Sequence, residues 1–247
     1  MITNSSSNTT IDEIGRGIYR IATPVTSPDG FAFSFNQYLV ADDEPLLFHT
    51  GLRGLFPLVR EAIETVLPAS SLRWIAFSHV EADECGALND FLAIAPNAAP
   101  LCSRVAALVS VGDLANRPPR ALADGETMSI GSRTIRWFDT PHMPHGWESG
   151  YLLDETTSTL FCGDLFTQGG ASHPPLTSSD ILDPSEAFRR GGVDAGIYDY
   201  FSNPSGTRPL FAKLAASRPS TLACMHGSAW QGDGAGLLME LAERVGA

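Results

Sequence analysis

Residues 77–86 read FSHVEADECG and follow a short apolar run from Leu72 to Phe77. Such a run predicts a buried strand, so the polar residues begin where that strand ends. Neighbours two apart in an extended loop point the same way, which lets His79, Glu81 and Asp83 face one centre. This spacing favours a metal site, although a polar turn in which Asp83 caps a following helix explains the same stretch equally well.

Three other stretches place histidine or aspartate at the end of an apolar strand or directly after it. They read TPHMPHGW at residues 140–147, LFCGDLF at residues 160–166 and CMHGS at residues 224–228. Strand ends are rigid anchors, and the loops beyond them can converge on one edge of a pair of sheets. The four stretches hold four of the six histidines, namely His79, His142, His145 and His226. The presence of such residues at the ends of four strands favours a metal site over a polar turn.

The rest of the chain alternates between strand-like and helix-like patterns. Predicted strands surround a Pro-Asp-Gly turn at residues 28–30 and continue to the C-terminal region: Ile18–Val25, Phe31–Val40, Glu44–Phe48, Leu72–Phe77, Ala99–Cys102, the hairpins Glu126–Phe138 and Gly150–Phe161, and Thr221–Met225. Predicted helices are Leu55–Leu67, Ala87–Ile94, Val105–Leu114, Gly206–Ala216 and Gly236–Val245, with Pro184–Phe201 helical or irregular. This order predicts an α/β fold, an αββα sandwich in which two mixed β-sheets pack face to face with helices on the outer faces.

Length and composition predict one domain. The 247 residues and the 43% hydrophobic content suffice for a sizeable core. We therefore expect a single domain over residues 14–247 and a flexible polar tail over residues 1–13, whose Ser/Thr/Asn-rich start lacks the features of a signal peptide. No run approaches the roughly 20 apolar residues of a membrane-spanning helix, so no membrane partner is expected.

The net charge and the cysteines indicate which partners and which cellular compartment to expect for this protein. A formal charge of −12 repels phosphate backbones, which argues against a nucleic-acid partner. We interpret part of this negative charge as carboxylates that a bound metal neutralises. The cysteines show no CxxC pairing, which favours free thiols in a reducing cytoplasm: Cys85, Cys102, Cys162 and Cys224.

These stretches resemble the metallo-β-lactamase superfamily, and within it the di-iron domain of flavodiiron proteins and their stand-alone oxygen-binding relatives. The superfamily motif HxHxDH is typically HxExDH in flavodiiron proteins, and residues 79–84 read HVEADE. Residues 145–149 (HGWES) resemble the family's His-Trp-Pro-Asp-Ser, and residues 162–166 (CGDLF) resemble its Ser-Asn-Asp-Ala-Phe. Residues 224–227 (CMHG), followed by Trp230, resemble its Ser-His-Gly…Trp, and residues 35–39 (FNQYL) resemble an early Tyr-Asn-x-Tyr-Leu strand. The resemblance covers about residues 14 to 245.

The resemblance also implies a metal-ligand set. One iron would be held by His79, Glu81 and His145, and the other by Asp83 and His226. Asp164 corresponds to the aspartate that bridges the two metals in the family.

Several positions depart from the family pattern. The second-site histidine is replaced by Glu84, which either ligates the metal, the reading we favour, or faces solvent. His142 competes with His145 as the ligand, and His145 is preferred because it keeps the family's spacing to Ser149. His49 is expected to cap a strand end rather than bind metal.

Residues 167–170 read TQGG, where flavodiiron proteins often have a histidine near the metals. His173 lies close by in the sequence and could take its place. The alternative, which we prefer, is an ordinary histidine of a surface loop.

The implied function is that of a di-iron protein that binds or reduces O2 or NO with two iron ions as its cofactor. Two alternatives stay open, a zinc-dependent or mixed-metal hydrolase of an ester or lactone and an oxygen sensor without turnover. Flavodiiron proteins carry a flavodoxin domain that binds FMN, whereas this sequence shows no flavin-binding loop before its last residue, Ala247. We therefore expect no flavin within the chain and a separate electron-donor protein. The sequence assigns no catalytic residue and is compatible with a homodimer.

Overall fold

The computed structural model describes residues 1–28 and 30–246, and over these residues the chain forms two β-sheets packed face to face. The eight strands of the first sheet follow one another in chain order. Neighbours are antiparallel as far as the fifth strand and parallel from the fifth to the eighth. The strands are β1 (Ile2–Asn4), β2 (Thr9–Gly15), β3 (Ile18–Thr26), β4 (Ala32–Val40), β5 (Leu46–Phe48), β6 (Trp74–Ala76), β7 (Ala99–Ser103) and β8 (Arg120–Leu122).

The second sheet contains the remaining seven described strands. These are β9 (Thr127–Ser129), β10 (Thr134–Asp139), β11 (Gly150–Asp154), β12 (Thr159–Phe161), β13 (Leu176–Thr177), β14 (Thr221–Ala223) and β15 (Ala229–Gln231). Their spatial order is β13-β15-β14-β12-β11-β10-β9. The pairs β12–β14 and β13–β15 are parallel and the others antiparallel, so both sheets are mixed as the sequence predicts.

Helices cover the outer face of each sheet. Their bounds are α1 (Phe56–Glu64), α2 (Ala82–Cys85), α3 (Leu88–Ile94), α4 (Arg104–Ala106), α5 (Gly112–Leu114), α6 (Leu182–Asp194), α7 (Pro204–Ala216) and α8 (Gly234–Arg244). None of these helices has the length and apolar character needed to cross a membrane.

Three buried clusters hold the layers together. Val59 and Ile63 of α1 pack against the outer face of the first sheet, and Leu238 of α8 packs in the cluster on the outer face of the second. Between the sheets lie aromatic side chains from both, among them Phe48 and Trp137. The predicted αββα arrangement is therefore confirmed.

The predicted flexible tail over residues 1–13 is wrong. Residues 2–4 and 9–15 form β1 and β2, and β2 pairs with β3 along its length. Ile11 is buried against the helical layer and Ile14 between the sheets. A register shift between Glu13 and Gly15 breaks the simple alternation of apolar residues, which hides this strand from a search for period two.

The helical prediction for residues 105–114 is confirmed, because residues 104–114 are helical throughout: α4 and α5 are joined by a π-helical segment, Ala107–Val111. The turn predicted at residues 28–30 includes Asp29, which lies outside the described residues, as does Ala247 at the end of the predicted domain. The assignment of residues 14–247 to one domain stays a prediction.

Candidate metal centre

Loops from both sheets bring histidine and carboxylate side chains to one edge of the sandwich. His79, Asp164 and His226 are each the third residue beyond a strand, namely β6, β12 and β14, respectively. His145 lies in the loop between β10 and β11. Since β12 and β14 are parallel neighbours, the loops after them emerge side by side.

His79, Glu81, His145 and Asp164 form a first group. Nε2 of His145 lies 3.1 Å from Oε1 of Glu81, and Nε2 of His79 lies 3.7 Å from the same oxygen. Oδ2 of Asp164 lies 3.5 Å from Nε2 of each histidine. Two imidazoles and two carboxylates therefore surround one small space.

Asp83, Glu84 and His226 form a second group beside the first. Nε2 of His226 lies 3.4 Å from Oδ2 of Asp83 and 3.4 Å from Oδ1 of Asp164. The two oxygens of Asp164 thus face different groups, Oδ2 the first and Oδ1 the second. This carboxylate is placed as a bridge between two positions.

The three histidine rings are fixed by the nitrogen that points away from the cluster. Nδ1 of His79 lies 2.9 Å from Oγ of Ser78. Nδ1 of His145 and of His226 lie 3.0 Å and 2.9 Å from the carbonyl oxygens of Tyr200 and Ser34, respectively. Each Nε2 is left free to bind a metal, which is the usual arrangement of histidine ligands.

The buried polar atoms of the cluster fit a cation. Within the described ranges, Nε2 of His79, both carboxylate oxygens of Glu84 and Oδ1 of Asp164 are buried without a hydrogen-bond partner. Buried polar atoms without partners are costly. Ligand atoms within 4.8 Å of one another occur in three overlapping sets: His79–His145–Asp164, His79–Glu81–Glu84 and Asp83–Glu84–His226. Imidazole nitrogen and carboxylate oxygen are suitable donors for iron or zinc.

The charges within the cluster shift the pKa values of its side chains. Contact with His145 and His79 lowers the pKa of Glu81 to about 2. Burial acts to raise the pKa of Asp164, yet the proximity of His226 and the charge of His79 bring it below the ordinary value. Burial likewise opposes protonation of His226, but its contacts with Asp164 and Asp83 raise its pKa to about 9.

Glu84 is buried beside other carboxylates. Burial, followed by the negative charges of Asp164 and Asp83, raises the pKa of Glu84 well above its usual range. Its side chain is 1% exposed and lies 4.0 Å from Nε2 of His79. The reading in which Glu84 faces solvent is therefore wrong. A divalent cation among these carboxylates would favour the ionised form of Glu84.

The backbone at residues 79–85 differs from the single extended loop that the sequence suggests. Glu81 is extended, but α2 begins at Ala82, so Asp83 and Glu84 lie in its first turn. The alternative in which Asp83 caps a helix is wrong, because the capping position is Glu81, whose side chain makes no capping bond. The helical turn carries two adjacent carboxylates into the cluster.

The other predicted candidates lie outside the cluster. His142 is exposed, with a φ of 62°, whereas His145 points inward, which agrees with the preference for His145. Nε2 of His173 lies 3.1 Å from the carbonyl oxygen of Gly170. Gln168 is buried and donates to the carbonyl oxygens of Phe166 and Ser228, so this position supports the backbone of the loops.

The sequence interpretation missed the role of Ser78, whereas His49 directly follows β5 and belongs to none of the three candidate ligand sets, as expected. Oγ of Ser78 lies 3.0 Å from Nε2 of His49 as well as 2.9 Å from Nδ1 of His79. Burial lowers the pKa of His49 to about 3, so its ring is neutral. At the end of β5, His49 is in addition linked to the cluster through Ser78. The position of both residues at strand ends was the signal available in the sequence.

An aromatic wall borders the second group. The ring of Phe33 stacks on His226 at a centroid distance of 4.1 Å, and Phe188 stacks on the other side of Phe33 at 5.4 Å. Phe35 meets His226 edge to face. This packing restricts the rotation of the His226 ring.

Comparison with known proteins finds relatives that include a nitric oxide reductase and an oxygen oxidoreductase. Over 211 residues the chain is 25% identical to the anaerobic nitric oxide reductase flavorubredoxin of Pectobacterium atrosepticum, covering 83% of this chain and 40% of that protein. It is 27% identical over 143 residues to the rubredoxin-oxygen oxidoreductase of Megalodesulfovibrio gigas, covering 56% and 35%, respectively. The chain thus spans about two-fifths or less of the length of these relatives.

Solved structures share the fold. The flavodiiron protein from Giardia intestinalis superimposes with a TM-score of 0.78 at 19% identity, over 96% of this chain and 59% of that one. The fold is therefore that of the metallo-β-lactamase domain of flavodiiron proteins. A family model described as ODP family beta lactamase matches residues 33–189, which is more than half of the chain. The chain belongs to this family of metallo-β-lactamase-like proteins.

Proposed function

We propose that the chain is a di-iron protein that binds or reduces O2 or NO. The observation that carries the proposal is the position of Asp164, whose two carboxylate oxygens face two separate groups of histidine and carboxylate ligands. Two metal ions bridged by one carboxylate match this arrangement. The names of the relatives, a nitric oxide reductase and an oxygen oxidoreductase, supply the choice of O2 or NO.

In this proposal His79, Glu81 and His145 hold one iron, and Asp83, Glu84 and His226 hold the other. Asp164 bridges them. Bound iron would supply the redox capacity to bind and reduce a diatomic gas. The chain contributes the fixed orientation of the three rings and, on one side, the apolar wall of Phe33 and Phe188.

The ligand set favours iron over zinc. Structural zinc sites are four-coordinate and rich in histidine or cysteine. Here four carboxylates, Glu81, Asp83, Glu84 and Asp164, accompany three histidines, so oxygen donors predominate. Harder ions with more ligands suit such a set.

The source of electrons belongs to the proposal as well. Because the chain matches only part of its relatives, their whole activity does not transfer directly. We propose that a separate rubredoxin-like donor reduces the irons, that this chain binds no flavin, and that it works in the cytoplasm. A homodimer is compatible with this proposal.

Metal analysis of the anaerobically purified chain tests the proposal. We expect about two iron ions per chain, the number for two bridged positions. His145→Ala should lose iron, whereas His142→Ala is the matched control and should retain it, because His142 is exposed outside the cluster. Zinc in place of iron, together with hydrolysis of an ester or lactone, would overturn the di-iron assignment.

The reaction of the iron-loaded protein with O2 and NO is the second part of this experiment. The reduced iron-loaded protein should change its visible absorption on exposure to O2 or NO. Sustained consumption with reduced rubredoxin would indicate a reductase, whereas a reversible spectral change without consumption would indicate a sensor. Iron without any response to either gas would contradict the proposed function.

A further inference from the structure

Arg20 is a buried cation between the two sheets. Its side chain is 2% exposed, and its Nε has no hydrogen-bond partner among the described residues. Nη2 donates to the carbonyl oxygen of Gly227 at 2.7 Å. Over residues 1–28 and 30–246 no carboxylate forms an ion pair with Arg20. Buried arginines are normally paired, because desolvation of the charge is costly.

The charge of Asp12 acts on Arg20 without forming an ion pair with it. Asp12 is opposite Arg20 in the β2–β3 pair, but its carboxylate is bonded to the amino group of Met1. Burial lowers the pKa of Arg20, as expected for a desolvated cation without a full counter-charge. Tyr38 and Asp12 act on the guanidinium, but within the described residues its Nε has no acceptor and no carboxylate forms an ion pair with it.

Arg20 lies in the wall of a pocket of about 440 Å³. The residues that line the sheet side of this pocket include Thr10, Thr26 and Ser34, each of which bears a hydroxyl group. Ser172 and His173 close it from the loop before β13. An arginine in the wall of a pocket that is also lined by hydroxyl-bearing residues is a donor pattern suited to carboxylate or phosphate oxygens.

We propose that this pocket is a binding site for a small oxyanion, held by the Arg20 guanidinium with help from the hydroxyl-bearing residues that line the pocket. The ligand class is a carboxylate or a phosphate group. The proposal does not depend on the metal centre, since none of the predicted metal ligands lines this pocket.

The pocket adjoins the structural support of His226. Oγ of Ser34 accepts from the backbone nitrogen of Gly227 at 3.0 Å, while its carbonyl oxygen lies 2.9 Å from Nδ1 of His226. Arg20 and Asn36 both donate to the carbonyl oxygen of Gly227. An anion on Arg20 would thus bind directly behind the loop that positions His226.

Calorimetric titration of the full chain with inorganic phosphate and, separately, with acetate tests the site at constant ionic strength. We expect saturable binding of at least one of the two, and the preferred probe identifies the ligand class. Arg20→Gln should weaken binding about tenfold or more, because charge-assisted bonds are lost. Ser172→Trp fills the pocket from the exposed loop and should weaken binding without altering Arg20.

Two controls keep the outcome decisive. Ser70→Trp introduces the same bulk at an exposed serine outside the pocket and should bind like the wild type. Asp83→Asn perturbs the metal centre and should also retain binding. The proposal is overturned if neither probe binds saturably, if Ser172→Trp binds as well as the wild type, or if Asp83→Asn abolishes binding. Should Arg20→Gln fail to fold by circular dichroism, Ser172→Trp decides.

Discussion

The hydroxyl oxygen of Ser78 lies 2.9 Å from Nδ1 of His79. For Nε2 of His79 to face a metal with its lone pair, the ring proton has to be on Nδ1 and is donated to Ser78. The Ser78 hydroxyl can then donate to Nε2 of His49, 3.0 Å away. One serine thereby sets the tautomer of both rings.

Replacing Ser78 by alanine should therefore weaken metal binding while leaving the fold intact. Loss of such an outer hydrogen bond typically costs about 10- to 100-fold in metal affinity. Competition with a chelator measures the affinity. Ser217→Ala is the control, because Ser217 donates only to the backbone of Leu214 on α7. Equal affinities of Ser78→Ala and wild type would show that Ser78 does not orient His79.

In the proposed di-iron centre, Glu84 should lower the reduction potential. An additional anionic ligand stabilises the ferric state, because it balances more of the positive charge. Glu84→His removes that charge and restores the histidine typical of flavodiiron proteins. We expect a higher potential for Glu84→His in an anaerobic redox titration. A potential that is unchanged or lowered would argue against Glu84 as a ligand.

The sequence predicts which side chains come together in the cluster. It does not predict which groups orient the histidine rings. Apolar runs ending in His79, Asp164 and His226 mark strand ends, and the structure gathers all seven predicted ligand side chains. The acceptors for Nδ1 of His145 and His226 are backbone carbonyls of Tyr200 and Ser34. A backbone carbonyl leaves no signature in residue type, so these supports depend on tertiary structure alone.

The local conformation was harder to predict than the gathering of these side chains in one place. The alternation of His79, Glu81 and Asp83 suggests an extended loop, but the chain turns into α2 after Glu81. Periodicity cannot distinguish these conformations over so few residues. The sequence interpretation missed β2 because the irregularity near Gly15 shifts its alternation of apolar and polar residues by one residue.

Gly150 at the start of β11 should not tolerate a side chain. A Cβ atom there would collide with the indole ring of Trp137, which is fully buried between the sheets. Gly150→Ala should lower the free energy of unfolding by about 3 kcal/mol, the upper part of the range for overpacked cores. Urea denaturation measures the change.

The matched control for this substitution is Gly191→Ala. Gly191 is exposed within α6, and a Cβ atom there would meet no neighbour. This substitution should raise the stability by about 0.5–1 kcal/mol, because alanine favours the helix. Similar effects at Gly150 and Gly191 would contradict the predicted clash with Trp137.

Asp42 should contribute a pH-dependent part of the stability. It accepts hydrogen bonds from the backbone nitrogen and the hydroxyl of Ser132, each at 3.0 Å, and from the backbone nitrogen of Asp43 at 2.8 Å. Nε of Arg133 lies 3.5 Å from its carboxylate. Although burial acts to raise the pKa of Asp42, these contacts lower it below the ordinary value. The carboxylate joins the turn after β4 to the turn between β9 and β10.

Because the folded pKa is depressed, the stabilisation is complete above the unfolded pKa of about 4 and is lost as the pH falls through the lower folded value. Asp42→Asn should therefore cost about 1 kcal/mol at pH 7, and the deficit should shrink below about pH 4. Urea denaturation of both proteins across this range, with identical metal loading, measures the difference. Asp113→Asn, at an exposed aspartate of α5, should show no such trend. A deficit for Asp42→Asn that persists unchanged in acid would mean that its charge does not stabilise the fold.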